Sequence, residues 1–250
     1  MDNVTVAMVS FNAADAAALT WESLIRHNGE FSLYVWDNGS TDGAADYLKA
    51  RAALFLKGAN RPAHEHGACL DALIGRIDTD YTLVLDTDVE FLEPAVYDML
   101  CEVQRQDALC CAPAPVRDLG NASMFGKTLR GQRRIDPCCA LFNTHKLKTL
   151  LTRFSFGTYL RWNAGEWFDT GAMLYRAADL SGMVVSEPDW VRRRLIHFGG
   201  MSAIFHPTNA HAAQEFQKSR YRTITHRLNN LRLNRQSAED LVWTDDLGWQ

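Results

Sequence analysis

The sequence predicts an α/β fold, a mostly parallel β-sheet with helices on both faces. Short β-branched apolar runs alternate with segments whose apolar residues recur at helical spacing, and turn or cap residues stand at each switch. With 250 residues, 47% of them hydrophobic and 22% charged, the chain can bury a substantial core, and its length does not force a second domain.

Residues 4–10 form the first strand-like run, ending at Asn12, and Ala17, Trp21, Leu24 and Ile25 follow at helical spacing. A second run, 31–36, stops at Asp37-Asn38-Gly39-Ser40-Thr41-Asp42, where Asn-Gly supplies a turn and Ser-Thr-Asp supplies cap chemistry. The next helix runs through Ala44, Tyr47 and Leu48. Residues 53–56 read as a third strand, residues 66–77 as a helix with Leu70, Leu73, Ile74 and Ile77 on one face, and residues 81–85 as a fourth strand. This βαβαβαβ order implies a parallel sheet. Ligands of such sheets sit beyond the carboxyl ends of the strands, so Asn12, Asp37 and Asp86 are expected to share one crevice.

Beyond Pro94 the expected elements are a helix to about Arg105, a strand near 109–112, a loop over the polar stretch 117–134 and a strand near 138–142. Helices near 145–151 and 167–180 and a strand near 183–186 follow.

No apolar run reaches the roughly 20 residues of a spanning helix, and Met1-Asp2-Asn3 opens no signal-like segment. The expectation is a soluble, cytoplasmic protein without a transmembrane segment. The six cysteines include the adjacent pairs Cys110-Cys111 and Cys138-Cys139, but no C-x-x-C, which suits buried reduced thiols better than disulfides or zinc. Within a formal net charge of -4, residues 216–235 carry Lys218, Arg220, Arg222, Arg227, Arg232 and Arg235 without an acidic residue. The plain reading is a solvated helix face; an anionic partner is the alternative.

Asp86-Thr87-Asp88 closes the fourth strand with two carboxylates on the same side. Such hard oxygen donors suit Mg²⁺ or Mn²⁺, which bind through one or two carboxylates plus substrate phosphates. An apolar strand followed by D-x-D also begins phosphatases of the haloacid-dehalogenase type, but there the motif sits on the first strand. Gly126-Lys127-Thr128 with Gly120 upstream misses Walker A spacing by one residue and has no apolar strand leading into it. No G-x-G-x-x-G follows the first strand.

Taken together, Val9-Ser10-Phe11-Asn12, Trp36 through Asp42 and Leu85-Asp86-Thr87-Asp88 resemble glycosyltransferase family 2, in order and spacing, over roughly the first 95 residues. The resemblance implies a GT-A, Rossmann-like domain. Residues 1–95 would bind a nucleotide-sugar donor, 96–210 would form an irregular acceptor and catalytic half, and 211–250 a partly basic helical extension. It implies donor contacts from Ser10, Phe11, Asn12, Asp37, Asn38, His66, Asp86 and Asp88. A carboxylate at Asp37 suits the imide N–H of uracil or thymine, hence a UDP- or dTDP-linked sugar. The stretch Asn60 to Gly67 departs from the family's commoner Asn-x-Gly-rich segment, and His66-Gly67 at a helix start is open to a ligand or a capping role.

Further on, Glu166-Trp167-Phe168-Asp169-Thr170-Gly171 resembles the segment where inverting members carry their general base, Asp169 being favoured over Glu166. Ile196 to Ser202 resembles the segment where a histidine joins the metal, which assigns Mn²⁺ or Mg²⁺ to Asp86, Asp88 and His197. The rival classes are the phosphatase and a nucleotide-sugar- or glycan-binding protein without turnover. The acceptor stays open among glycan, peptide, small molecule and nucleic acid carrying a modified base.

Overall fold

The computed structural model describes residues 3–58, 66–114, 122–124, 127–129, 133–152, 155–157, 160–162, 166–168, 170–199 and 211–233. Strands are β1 (Val4–Ser10), β2 (Ser32–Asp37), β3 (Leu54–Lys57), β4 (Tyr81–Leu85), β5 (Val89–Phe91), β6 (Cys110–Cys111), β7 (Ala122–Met124), β8 (Lys127–Leu129), β9 (Cys139–Asn143), β10 (Leu160–Trp162), β11 (Glu166–Phe168), β12 (Val185–Ser186) and β13 (Leu195–His197). Helices are α1 (Ala14–Asn28), α2 (Ala44–Lys49), α3 (His66–Ile74), α4 (Val96–Arg105), α5 (Thr144–Leu151), α6 (Ala172–Leu180), α7 (Asp189–Arg193) and α8 (His211–Arg232).

The main sheet has seven strands in the order β12-β6-β9-β4-β1-β2-β3. Strands β3, β2, β1 and β4 run parallel, as the βα alternation requires, while β9 lies antiparallel between β4 and β6. Strand β1 is an interior strand, buried along most of both faces, which is why Val4 to Val9 is apolar at every position but Thr5. One large core cluster joins Val6, Met8, Leu33, Leu83 and Phe91 with Leu24 of α1 and Met99 of α4. Another joins Val84, Ala140 and Phe142 with Leu70 of α3, Leu147 of α5 and Leu174 of α6.

Several expectations are corrected by the structure. The helix expected near 167–180 begins at Ala172, because residues 166–168 pair antiparallel with β10. The helix expected to reach Ile77 ends at Ile74. Within the expected loop at 117–134, β7 and β8 pair antiparallel. The short pair β5 and β13 has no counterpart in the sequence reading, since three residues carry no periodicity. The basic face is not simply solvated either: Arg220 and Arg227 are buried. All six cysteines are free and five are buried, as composition suggested. No described helix is long and apolar enough to cross a membrane.

Candidate active site

Three segments build the site at the carboxyl edge of β1, β2 and β4. Asp86 follows β4 and is pinned by its backbone amide, which donates to the Cys138 carbonyl at 3.1 Å, extending the β4–β9 ladder by one rung. Asp88 precedes β5. That strand is gripped on both edges: β13 pairs with it antiparallel, and Thr20 Oγ1 and Ser23 Oγ of α1 accept from the amides of Val89 at 2.9 Å and Phe91 at 3.0 Å. Register then decides where the histidine goes. His197 stands opposite Val89, and the Phe198 amide donates to the Asp88 carbonyl at 2.9 Å.

His197 Nε2 consequently lies 3.3 Å from Asp88 Oδ1 and 3.7 Å from Asp86 Oδ2. Donor atoms of Asp86, Asp88 and His197 all fall within 4.8 Å of one another. Two carboxylate oxygens and one imidazole nitrogen match the hard-to-borderline preference of Mg²⁺ and Mn²⁺, so these residues fit such an ion. On the far side of Asp86, His66 Nε2 approaches Oδ1 at 3.8 Å. That contact places His66, at the start of α3, beside the carboxylate pair.

Electrostatics follow from this crowding. Burial pulls the His197 imidazolium down, but Asp88, Asp86 and Asp136 outweigh it and push its pKa up to about 9. Burial raises the pKa of Asp86, and the adjacent Asp88 adds to that rise against the pull of His66 and His197. The repulsion of two like charges in one partly dry site is offset most directly by a cation between them.

Asp136 was missed in the sequence. Its carboxylate joins Cys138 and His197 in a second cluster within 4.8 Å. Burial works against its charge, yet Arg134 at 3.9 Å, His197, the Cys138 amide at 3.2 Å and Arg192 at 3.7 Å hold its pKa low. Two guanidiniums already serve this carboxylate, so Asp86, Asp88 and His197 are the better set for a cation. The signal that finds Asp136 is antiparallel pairing: Leu85 opposite Cys139 sets residues before β9 beside those after β4.

At the neighbouring strand end, Asp37 is fully buried. Its Oδ2 accepts from the amides of Gly39 and Ser40, each at 3.1 Å, the Asx-turn geometry, while Oδ1 has no hydrogen-bond partner among the described residues. Ser10 Oγ is likewise buried without a partner. The backbones of the two strand ends are tied, Asn38 N–H to the Ser10 carbonyl at 2.7 Å and Gly58 N–H to that of Asp37 at 2.6 Å. Asn12, at a positive φ of 45°, spends its side-chain oxygen on the Thr41 amide at 2.8 Å, joining the first and second strand-end loops. Asp42 accepts from the amides of Ala14 and Ala44, at 2.8 and 3.0 Å, and so serves the starts of both α1 and α2. Phe11 is partly buried beside them.

The structure thus brings Asp86, Asp88, His197 and His66 together and sets Ser10, Asp37 and Asn38 along the same edge. Asp169 lies outside the described residues. Glu166 is on β11, whose side chains are not described.

The match to the family model Glycosyl transferase family 2 spans residues 5–175. No curated protein matches the chain in sequence. Among solved structures, the mannosyltransferase PcManGT of Pyrobaculum calidifontis, in complex with GDP-Man and Mn²⁺, aligns over 92% of this chain and 70% of its own, at 17% identity and a TM-score of 0.50. A fragment of S. aureus TarS, in complex with UDP, aligns over 60% of this chain at 18% identity and a TM-score of 0.45. The chain spans about half of that fragment, 48%. The likeness to PcManGT concerns the fold, which is the GT-A fold that the strand-end motifs implied.

Proposed function

Because the chain belongs to glycosyl transferase family 2, we propose that it transfers a sugar from a nucleoside-diphosphate donor, UDP- or dTDP-linked, to an acceptor hydroxyl with inversion at the anomeric carbon. The observation that carries this reading is the convergence of Asp86 and Asp88, from the connection between β4 and β5, with His197, from the end of β13, more than a hundred residues later. These three residues would hold Mn²⁺ or Mg²⁺, as a donor-complexed structure of the same fold holds Mn²⁺. When bound, the ion supplies positive charge where the leaving diphosphate gathers negative charge.

The chain's own residues do the rest. Asp37 Oδ1, buried and without a partner among the described residues, is suited to accept the imide N–H of uracil or thymine. Its partner oxygen, fixed by two amides, keeps the carboxylate plane from turning. Asp169, or Glu166 in its place, takes the proton of the acceptor hydroxyl as that oxygen bonds to the anomeric carbon; the bond from that carbon to the diphosphate breaks, and its electron pair leaves with the nucleotide. Support for Asp169 comes from a described residue close to it in sequence. Gly171, two residues on, is bonded through its carbonyl to the Ile135 amide at 3.4 Å, one residue ahead of Asp136.

Thermal unfolding with UDP, dTDP, GDP and CMP, each with and without Mn²⁺, tests the reading. A ligand at about 100 times its Kd adds about 2.7 kcal/mol, several degrees for a chain of this size. The expected result is a shift with UDP or dTDP that grows with Mn²⁺ and vanishes in Asp88→Ala. Silence from all four nucleotides overturns it.

A further inference from the structure

The basic run of the C-terminal helix has no part in the chemistry above, yet two of its arginines are among the few buried charges of the molecule, Arg220 and Arg227. They stand seven residues apart, two helical turns, and so share one face of α8. Arg220 Nη1 donates to the Gly199 carbonyl at 2.9 Å, two residues beyond His197. Arg227 Nε donates to Glu90 Oε2, two residues beyond Asp88. Glu90 is itself the cross-strand partner of Ile196, the residue before His197. Ile224, between the arginines, and Leu228, just after the second, pack with Phe198 and with Ala16 and Leu19 of α1. One turn further, Arg232 turns away to Glu22 of α1 at 2.6 Å. A single helix face therefore touches both short strands that deliver Asp88 and His197.

Beyond the proposed reaction, and resting on the reading of Asp86, Asp88 and His197 as metal ligands, we propose that Arg220 and Arg227 are positioning residues. They clamp β5 against β13 and keep two of the three ligands in register. Strands of three residues hold few hydrogen bonds of their own, so their alignment has to come from outside. A buried ion pair such as Arg227–Glu90 adds little net stability compared with apolar side chains. Its selectivity for one arrangement is what a metal site needs.

Charge alone predicts the opposite effect. Arg220 lies near enough to Asp88 for the carboxylate to act on it, so its guanidinium repels a cation. Removing it tightens Mn²⁺ binding if it is only a charge and weakens binding if it holds the strand. The test measures Mn²⁺ affinity from the electron paramagnetic resonance of the free ion. It compares the wild type with Arg220→Met, the double variant Arg227→Met/Glu90→Gln, which leaves no bare charge buried, and the same-helix control Arg232→Met. Hydrogen exchange of the Phe198 amide is followed in the metal-free proteins.

Expected are Mn²⁺ binding about tenfold or more weaker in Arg220→Met and in the double variant, faster exchange at Phe198 with the main sheet still protected, and a control like wild type. Arg220→Lys, which keeps a charged donor and guards against a misfolded Arg220→Met, recovers part of the affinity. Unchanged or tighter binding in Arg220→Met, or equal weakening in Arg232→Met, overturns the proposal. A wild type that binds no Mn²⁺ overturns the ligand assignment first, and the positioning role with it.

Discussion

His197 sits among three carboxylates, and its titration should be the most informative property of any single residue here. In the metal-free protein its pKa stands at about 9 against an ordinary 6.5. A group raised in this way contributes stability in full below 6.5, and loses it as pH rises through about 9. The unfolding midpoint of metal-free protein is therefore expected to fall across that window, and less so in His197→Gln. A cation must displace the same proton, so apparent Mn²⁺ affinity should climb about tenfold per pH unit up to the titration point; calorimetry at a series of pH values measures it, and a flat profile excludes His197 as a ligand. Asp88→Asn keeps the shape and removes the charge. Transfer should fall by about a hundredfold or more, the scale of losing a principal electrostatic stabiliser, with the circular dichroism spectrum unchanged.

Among the elements, α6 shows how tightly the second half is fastened to the sheet. Gly171 precedes it at a φ of 84°, and a Cβ there would stand 2.1 Å from the Ile135 carbonyl oxygen. Gly171→Ala meets both a disfavoured backbone and a clash, so a loss of about 2–4 kcal/mol is expected, seen as a drop of several degrees in the unfolding midpoint. A Cβ on Gly67 in α3 would also clash, standing 2.5 Å from the Gly157 amide nitrogen. Elements of this kind mark the boundary of what a sequence discloses. The four leading strands announce themselves because each repeats its chemistry over four or more residues between turn signals. Asp37, Asp86 and Asp88 are legible because they stand where those runs stop. Glycines 67 and 171, the pair β5 and β13, and Asp136 are not, because each is defined by a partner remote in sequence. His197 was reached through its resemblance to a family segment; nothing in its local composition says that Val89 lies opposite it.

At the scale of the whole molecule, α8 closes the fold by returning to α1, through Thr225 to Asp15 at 2.6 Å and Arg232 to Glu22 at 2.6 Å. Arg227→Ala alone removes the guanidinium from Glu90 Oε2 in the interior, and cutting one partner from a buried pair costs about 3–5 kcal/mol. A fall of roughly 10 °C in the midpoint follows at about 2–4 °C per kcal/mol, larger than for Arg232→Ala, whose pair is half exposed. Equal falls would mean that helix docking, rather than the buried charge, sets the cost. The six thiols divide the molecule in another way. Four of them, Cys110, Cys111, Cys138 and Cys139, line adjacent strands in the core, Cys69 is shut inside α3, and Cys101 alone faces water, on α4. The unaltered chain therefore offers a maleimide dye or a spin label one address. A fluorophore installed there would mark α4 without a single substitution having been made, and oxidation in storage would join two chains at that helix surface.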